Sequence, residues 1–406
     1  MQKEYLTSTV VKYTINIVMN KPESLRKTVE KTNTVRVYDN GFIGVAGSIG
    51  ETNYDELEKQ AIENLQFKLP YPCKLPENNV KKMDNFKQIL NPDNYMQSVS
   101  KIMDKISAAA PNFIFGNKAT YVEVEAKYRN TKGCDMEYKG NTFSLGLSVK
   151  SKASANLFDF FYSAETTNID ENQMAKDVKV ITENYDNVID IEPGKYPVLI
   201  DTTDLFGKSL YDLLIDQYAS NASMFKGKLG QKIFSDKFSM FFDRKPETAF
   251  ANPFFDEEGE VAPDYERYVI KDGVLVALGG NKRQQDVYNL PVAQNSGAPY
   301  DGLPSLSLAG LTMKTENKTL AEVTKEKTIF VMVASGGDTT TDGDFATPVQ
   351  YAYLVQDGKV LGKLPDFQLY GNIFDFFGKD YVTTIPKALT QTGETYFSLT
   401  KLNIQK

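Results

Sequence analysis

Between residues 142 and 150 apolar and polar side chains alternate without a break. Phe143, Leu145, Leu147 and Val149 fall on one side, and Ser144, Gly146, Ser148 and Lys150 on the other. A period of two is the mark of a strand with one buried face, so a sizeable part of this chain has to be built into sheet. Thr120–Tyr128 alternates in the same way, and Leu157–Tyr162 adds a further strand. Around these strands the period changes to that of a helix. Asn53 and Glu56 form a capping-box pattern ahead of a helix whose Leu57, Ala61, Ile62 and Leu65 share one face. A second helix opens at Asn91-Pro92, carries Met96, Val99, Met103 and Ile106 as its stripe, and stops at Pro111. Met174, Val178 and Ile181 mark a third.

A boundary falls just before Glu192-Pro193-Gly194, dividing the chain into residues 1–190 and 191–406. The second part starts with a buried strand over Tyr196–Asp201. A helix over Leu205–Tyr218 follows, with Leu210, Leu213 and Leu214 on one face. Short alternating runs then dominate. Asp272-Gly273 and Asp357-Gly358 each sit between apolar flanks, the signal of a type I′ hairpin in which both central residues accept positive φ. The expected fold is α+β in two domains. The N-terminal domain has helices on a mixed sheet, and the C-terminal one is mostly antiparallel, β-rich and barrel-like.

Composition narrows the chemistry. The 406 residues include no histidine, which removes imidazole-based catalytic triads and histidine zinc sites. Cys73 and Cys134 lie too far apart for a CxxC pair or a disulfide framework. A net charge of −7 argues against a nucleic-acid binder, which needs a basic face. No apolar run approaches a membrane span and no leader pattern is present, so the expected location is the cytoplasm.

Three places could carry chemistry, each beside a plainer structural reading. Asp256-Glu257-Glu258 could hold a hard cation or act as an acid/base pair, but a solvated loop between strands is the favoured reading. Asp338, Asp342 and Asp344 resemble a calcium loop only in outline, lacking the alternating ligands and the terminal glutamate. Lys208 and Ser209, with Tyr196 and Tyr211 nearby, point to different faces as helix neighbours and read as structural.

The second half nevertheless carries an ordered series of short motifs. These are Pro193-Gly194-Lys195-Tyr196-Pro197-Val198-Leu199, Gly227–Ile233, Phe255-Asp256-Glu257-Glu258-Gly259, Ile270–Leu275, Thr341-Asp342-Gly343-Asp344-Phe345, Gln356–Val360 and Tyr370-Gly371-Asn372-Ile373. In this order they resemble the TldD/PmbA family, whose second branch is TldE and whose older name is modulator of DNA gyrase. The first half matches more loosely, through Gly41–Gly47 and the helix after it. The resemblance implies a zinc metalloprotease assembly that cleaves peptides in a closed two-subunit chamber. TldD-type subunits carry HExxxH on the helix after the PGKYPVLI-like strand, plus a cysteine near the C-terminus. Here that helix reads GKSLYDLLIDQ over Gly207–Gln217, without His or Glu, and residues 383–406 hold no Cys.

The resemblance therefore implies no catalytic residue and no metal ligand in this chain, with zinc only in a TldD-type partner. It implies a non-catalytic, PmbA/TldE-like subunit whose partner is that zinc-bearing chain and whose substrate is peptide. Asp256, Glu257, Asn295, Asp344 and Asn372, which sit in the family-like loops, are the candidate chamber or peptide-contact positions. One alternative is a stand-alone homodimeric peptide-binding or scaffold protein, since a closed chamber can form from two copies. Another is a carboxylate hydrolase with a hard metal at Asp256 or Asp344.

Overall fold

The computed structural model describes residues 1–207, 209–248, 250–393 and 395–405, and among these strands far outweigh helices. The first strands, β1 (Gln2–Val18) and β2 (Lys21–Asp39), form one long hairpin that turns at Met19 and Asn20, both at positive φ. Of β2, only Thr32 to Asp39 pair with β3 (Phe42–Ile49). Helix α1 (Tyr54–Glu63) covers this corner with Leu57 and Ala61 buried. Asn53 caps it by accepting from the Asp55 amide, without a reciprocal bond from Glu56. β4 (Leu69–Pro70), β5 (Val80–Asn85), α2 (Tyr95–Ala109), β6 (Phe113–Asn130), β7 (Asp135–Ser151), β8 (Phe160–Thr166) and α3 (Glu171–Thr182) complete the first half.

The strands order as β4-β3-β2-β1-β6-β7, and β7 pairs in addition with β5 and β8. Only β5 runs parallel to its neighbour. The 18 residues of β6 span about 60 Å at roughly 3.3 Å per residue. The expected mixed sheet is thus antiparallel apart from the short β5, and β6 and β7 are about twice as long as the alternating runs that announced them. Val99, Ile102, Met103 and Ile106 of α2 pack with Met174, Val178 and Ile181 of α3 onto Ile15, Phe115, Phe143, Leu145 and Leu147. Each such side chain contributes roughly 1.5–3 kcal/mol through burial.

The second half opens with β9 (Gly194–Asp201) and α4 (Thr202–Gly207). The single helix expected over Leu205–Tyr218 is broken. A 3₁₀ turn at Tyr211–Leu213 and α5 (Ile215–Ala219) follow α4, with Leu214 extended at ψ 134° between them. The cause is local competition for backbone partners. Leu214 bridges to Gly279, while the Asp212 carbonyl accepts from the Ser223 hydroxyl and its carboxylate from the Met224 amide. Ser209 is buried and Tyr211 exposed. Lys208 lies outside the described residues.

A layer of short pieces comes next. It comprises β10 (Met240–Asp243), β11 (Glu266–Lys271), β12 (Val274–Leu275), β13 (Leu278–Gly280), α6 (Lys282–Tyr288), β14 (Val292–Gln294), β15 (Ser296–Gly297), β16 (Ser305–Leu306) and β17 (Leu311–Met313). Then α7 (Leu320–Val323), β18 (Thr328–Ala334), β19 (Asp344–Gln356), β20 (Lys359–Lys363), β21 (Phe367–Asn372), α8 (Ile373–Phe376), β22 (Thr383–Ile385) and β23 (Phe397–Gln405) follow. The expected Asp-Gly hairpins are present. Asp272 and Gly273 stand at φ 47° and 79°, Asp357 and Gly358 at 48° and 75°.

Strands β18-β9-β23-β21-β19 close on themselves, because β19 also pairs with β18, giving a five-stranded barrel. Its β9–β18 contact is parallel and the others antiparallel. On β9, Val198 and Ile200 enter one apolar cluster and Leu199 another, so both faces of the strand are covered. That second cluster includes the α2 and α3 residues, so one core runs across the boundary near residue 190. Among the described residues the chain is thus predominantly β, with less helix than an α+β reading anticipates. No helix among them is long and apolar enough to cross a membrane.

Candidate functional site

The site forms where the loop from Pro253 to Glu260 lies on the N-terminal sheet. Residues two apart on a strand share a face, so Thr34, Arg36 and Tyr38 of β2 look the same way, alongside Glu4 and Leu6 of β1. Phe254 and Phe255 pack with Leu6, Tyr128, Met136 and Tyr138. Gly259, at φ +70°, allows this approach, because a Cβ there would stand 2.2 Å from the Tyr128 ring.

Beneath the loop lies a buried ionic network. Glu4 accepts from Arg36 Nη1 at 2.9 Å, Tyr38 Oη at 2.9 Å and Tyr128 Oη at 2.8 Å. Arg36 Nη1 also donates to the Glu257 carbonyl at 2.6 Å, while Nε and Nη2 have no hydrogen-bond partner. Burial opposes the charge on Arg36, but Glu4, Tyr38 and Glu257 outweigh it and hold the guanidinium protonated more firmly than usual. Next to it, Glu258 accepts from Tyr71 Oη at 2.6 Å and from the Ser296 hydroxyl. Its pKa is raised, by burial first and by Asp256, against the pull of Lys282. Lys282 is paired to Glu260 at 2.8 Å.

The three consecutive carboxylates therefore have different fates. Asp256 is spent on the loop, accepting from the Glu258, Glu260 and Ser296 amides. Glu258 is buried in the network just described. Glu257 turns into a cavity of about 430 Å³ between the sheet and residues 296–309. Its side chain lines that recess and is 41% exposed, and its carboxylate accepts no hydrogen bond from the described residues. Arg36 Nη2 lies 3.9 Å away. Surrounding protein atoms push the Glu257 pKa up, with Arg36 opposing and Asp256 adding.

Arg244, just beyond β10, lines the same cavity and is only 9% exposed. Its Nε donates to Asn295 Oδ1 at 2.8 Å, and Nη1 donates to the Pro253 and Phe255 carbonyls at 2.9 and 3.0 Å. Asn295 gives its amide to the Ser307 and Ala309 carbonyls, so all its polar atoms are engaged. Asp256, Glu257 and Asn295 thus come together around Arg244. Asp344 and Asn372 do not join them. They pair with each other at 2.9 Å where β19 meets β21, and Asn372 caps α8.

Arg36, Arg244, Glu4 and Lys282 escaped the reading of the sequence, since no spacing links positions so far apart. One signal was available: only six of the 46 basic residues are arginine, and arginine is the side chain suited to buried, planar pairing.

The segment Gly207–Gln217 borders a different groove, of about 370 Å³, with Tyr211, Leu214 and Asp216 in its wall. Its carboxylates are taken up locally: Asp212 accepts from the Met224 amide, and Asp216 from Gln284 Nε2 at 2.6 Å. With no imidazole or thiolate in the segment, these donors do not fit a zinc ion. Both cysteines are free, and among the described residues no three carboxylates or thiols gather as a metal site.

Comparison with known proteins places the fold and the family. The family described as PmbA/TldA metallopeptidase C-terminal domain matches residues 193–401. An uncharacterised protein of Methanocaldococcus jannaschii is 23% identical over 84% of this chain and 82% of its own length. A metalloprotease of Archaeoglobus fulgidus is 21% identical, over 90% of this chain and 87% of its own. Among solved structures, TldE from Thermococcus kodakarensis superposes with a TM-score of 0.80 at 16% identity, covering 100% of this chain and 97% of its own. A Thermotoga maritima protein named for modulation of DNA gyrase gives 0.78 at 17% identity, covering 100% and 96%.

Proposed function

Because the chain belongs to the PmbA/TldD metallopeptidase family, we propose that it is a TldE-like subunit without catalytic residues of its own. In this reading it pairs in the cytoplasm with a zinc-bearing TldD-type chain to enclose a peptide-degrading chamber. The observation that carries the proposal is the segment Gly207–Gln217. It stands where the family's metal helix would be, yet it is broken at Leu214 and holds neither His nor Glu. Its aspartates brace neighbouring loops and leave no open ligand set. Zinc, which polarises a scissile carbonyl and activates water, would then come wholly from the partner. This chain would supply the facing wall, where Glu257 and Arg244 meet the cavity.

The test is reconstitution. The purified chain is assayed for cleavage of short peptides with added zinc, alone and after mixing with the TldD-type subunit of the same genome. Co-elution in a fixed ratio, with cleavage only by the mixture, is the expected result. Zinc-dependent cleavage by this chain alone would overturn the proposal. Elution as a self-dimer that ignores the TldD-type chain would transfer the case to a homodimeric peptide-binding protein.

A further inference from the structure

Arg244 is a buried cation with no counter-ion in contact, Asp256 and Glu257 acting on it only from a distance. Among the described residues no carboxylate lies within 4.0 Å of its guanidinium, and Nη2 has no hydrogen-bond partner. Buried arginines are ordinarily matched by a carboxylate, because the cost of desolvation is otherwise unrecovered. Arg36, held by Glu4 at 2.9 Å, shows the usual solution in the same molecule. Across the cavity wall the Glu257 carboxylate accepts no hydrogen bond from the described residues, and Arg36 Nη2 reaches it only at 3.9 Å. The two charges are both presented to one recess, and they do not pair with each other. A volume of about 430 Å³ is of small-ligand size.

We propose that this cavity binds the two ends of a short peptide, with the ligand's terminal carboxylate on the free edge of Arg244 and its ammonium group against Glu257. A guanidinium edge and a carboxylate oxygen make a charge-assisted hydrogen bond. Arg244 is pre-set for it, because Asn295 and two carbonyls already hold its plane. The site would recognise peptides by their termini and not by their side chains. The inference draws on the subunit proposal only for the origin of the ligand, as product or substrate of the chamber. Binding itself needs no partner.

The experiment is calorimetric titration of the full-length chain, without partner or metal, with alanyl-alanine, its C-terminal amide and its N-acetyl derivative. The free dipeptide should bind saturably, and each blocked form should bind at least about tenfold more weakly. Arg244→Gln, which removes the cation, should abolish the discrimination against the amide. Glu257→Gln, which removes no hydrogen bond of the fold, should abolish that against the N-acetyl form. No binding of the free dipeptide at millimolar concentration, or equal binding of all three ligands, would overturn the proposal. Because it compares ligands on the unaltered protein, this result stands even where a variant fails to fold. Dipeptide binding without any TldD-type association would defeat the subunit reading and leave the site; association without dipeptide binding would do the reverse.

Discussion

At the scale of single residues, the acidic triplet shows how position alone divides identical chemistry. Asp256 folds a loop, Glu258 anchors it to Tyr71 and Ser296, and Glu257 keeps a charge facing a recess. Burial makes that last charge costly, so Glu257 holds its proton to a higher pH in the folded protein than the ordinary 4.5. Within the window between those two values the native state keeps a proton that the unfolded chain has released. Stability therefore falls as pH rises through the window, and above it the loss is constant. Glu257→Gln has no such window. Its unfolding free energy relative to wild type should rise as pH climbs above the ordinary carboxylate range and then level off, the two proteins converging at the acid end. Urea titrations at several pH values check this, and a difference that does not change with pH would show that the carboxylate is not desolvated.

Among elements, the hairpins show what a turn can tolerate. Gly41 and Gly273 both follow a residue at positive φ, and both stand near φ +80°. A Cβ on Gly41 would meet nothing within 4 Å, whereas one on Gly273 would stand 2.3 Å from the Phe234 carbonyl oxygen. Gly41→Ala should cost about 1 kcal/mol from backbone strain alone. Gly273→Ala should cost about 3 kcal/mol or more, because the Phe234 segment must also move. Chemical denaturation of both variants would test this, and equal losses would mean that the close approach does not exist in solution. The Asp272-Gly273 and Asp357-Gly358 turns were legible in the sequence because Asp-Gly chemistry is local. The Thr142–Lys150 alternation was legible because one face of β7 is buried. Much of β1 and β2 was not. Lys21–Lys31 is largely exposed on both faces, so no apolar pattern distinguishes it from a polar loop. The helix over Leu205–Tyr218 failed for the opposite reason: its leucines have helical spacing, but Leu214 finds a partner in Gly279. Of the site, only the loop could be read, since Glu4, Arg36, Arg244 and Glu257 meet through the fold alone.

For the whole molecule, the main feature is a core that does not respect the midpoint of the chain. Tyr351 and Tyr353 of β19 share a hydrogen bond of 2.6 Å, and Tyr353 donates to the Ile181 carbonyl at the end of α3. Leu199, Phe330 and Leu399 join the cluster built by α2, α3 and the long strands. Removing residues 397–405 should therefore disturb both halves, seen as dye binding to exposed apolar surface and loss of protease resistance before as well as after residue 190. A truncated chain whose first half stays resistant would show that the halves are independent. The position of β23 carries a temporal consequence. It follows every other barrel strand in the sequence, yet it sits between β9 and β21. As the polypeptide emerges from the ribosome, β9 must wait nearly two hundred residues with one edge unmatched. The cylinder can only be sealed by its latest stave, so each nascent copy passes through a period in which an open edge needs shelter.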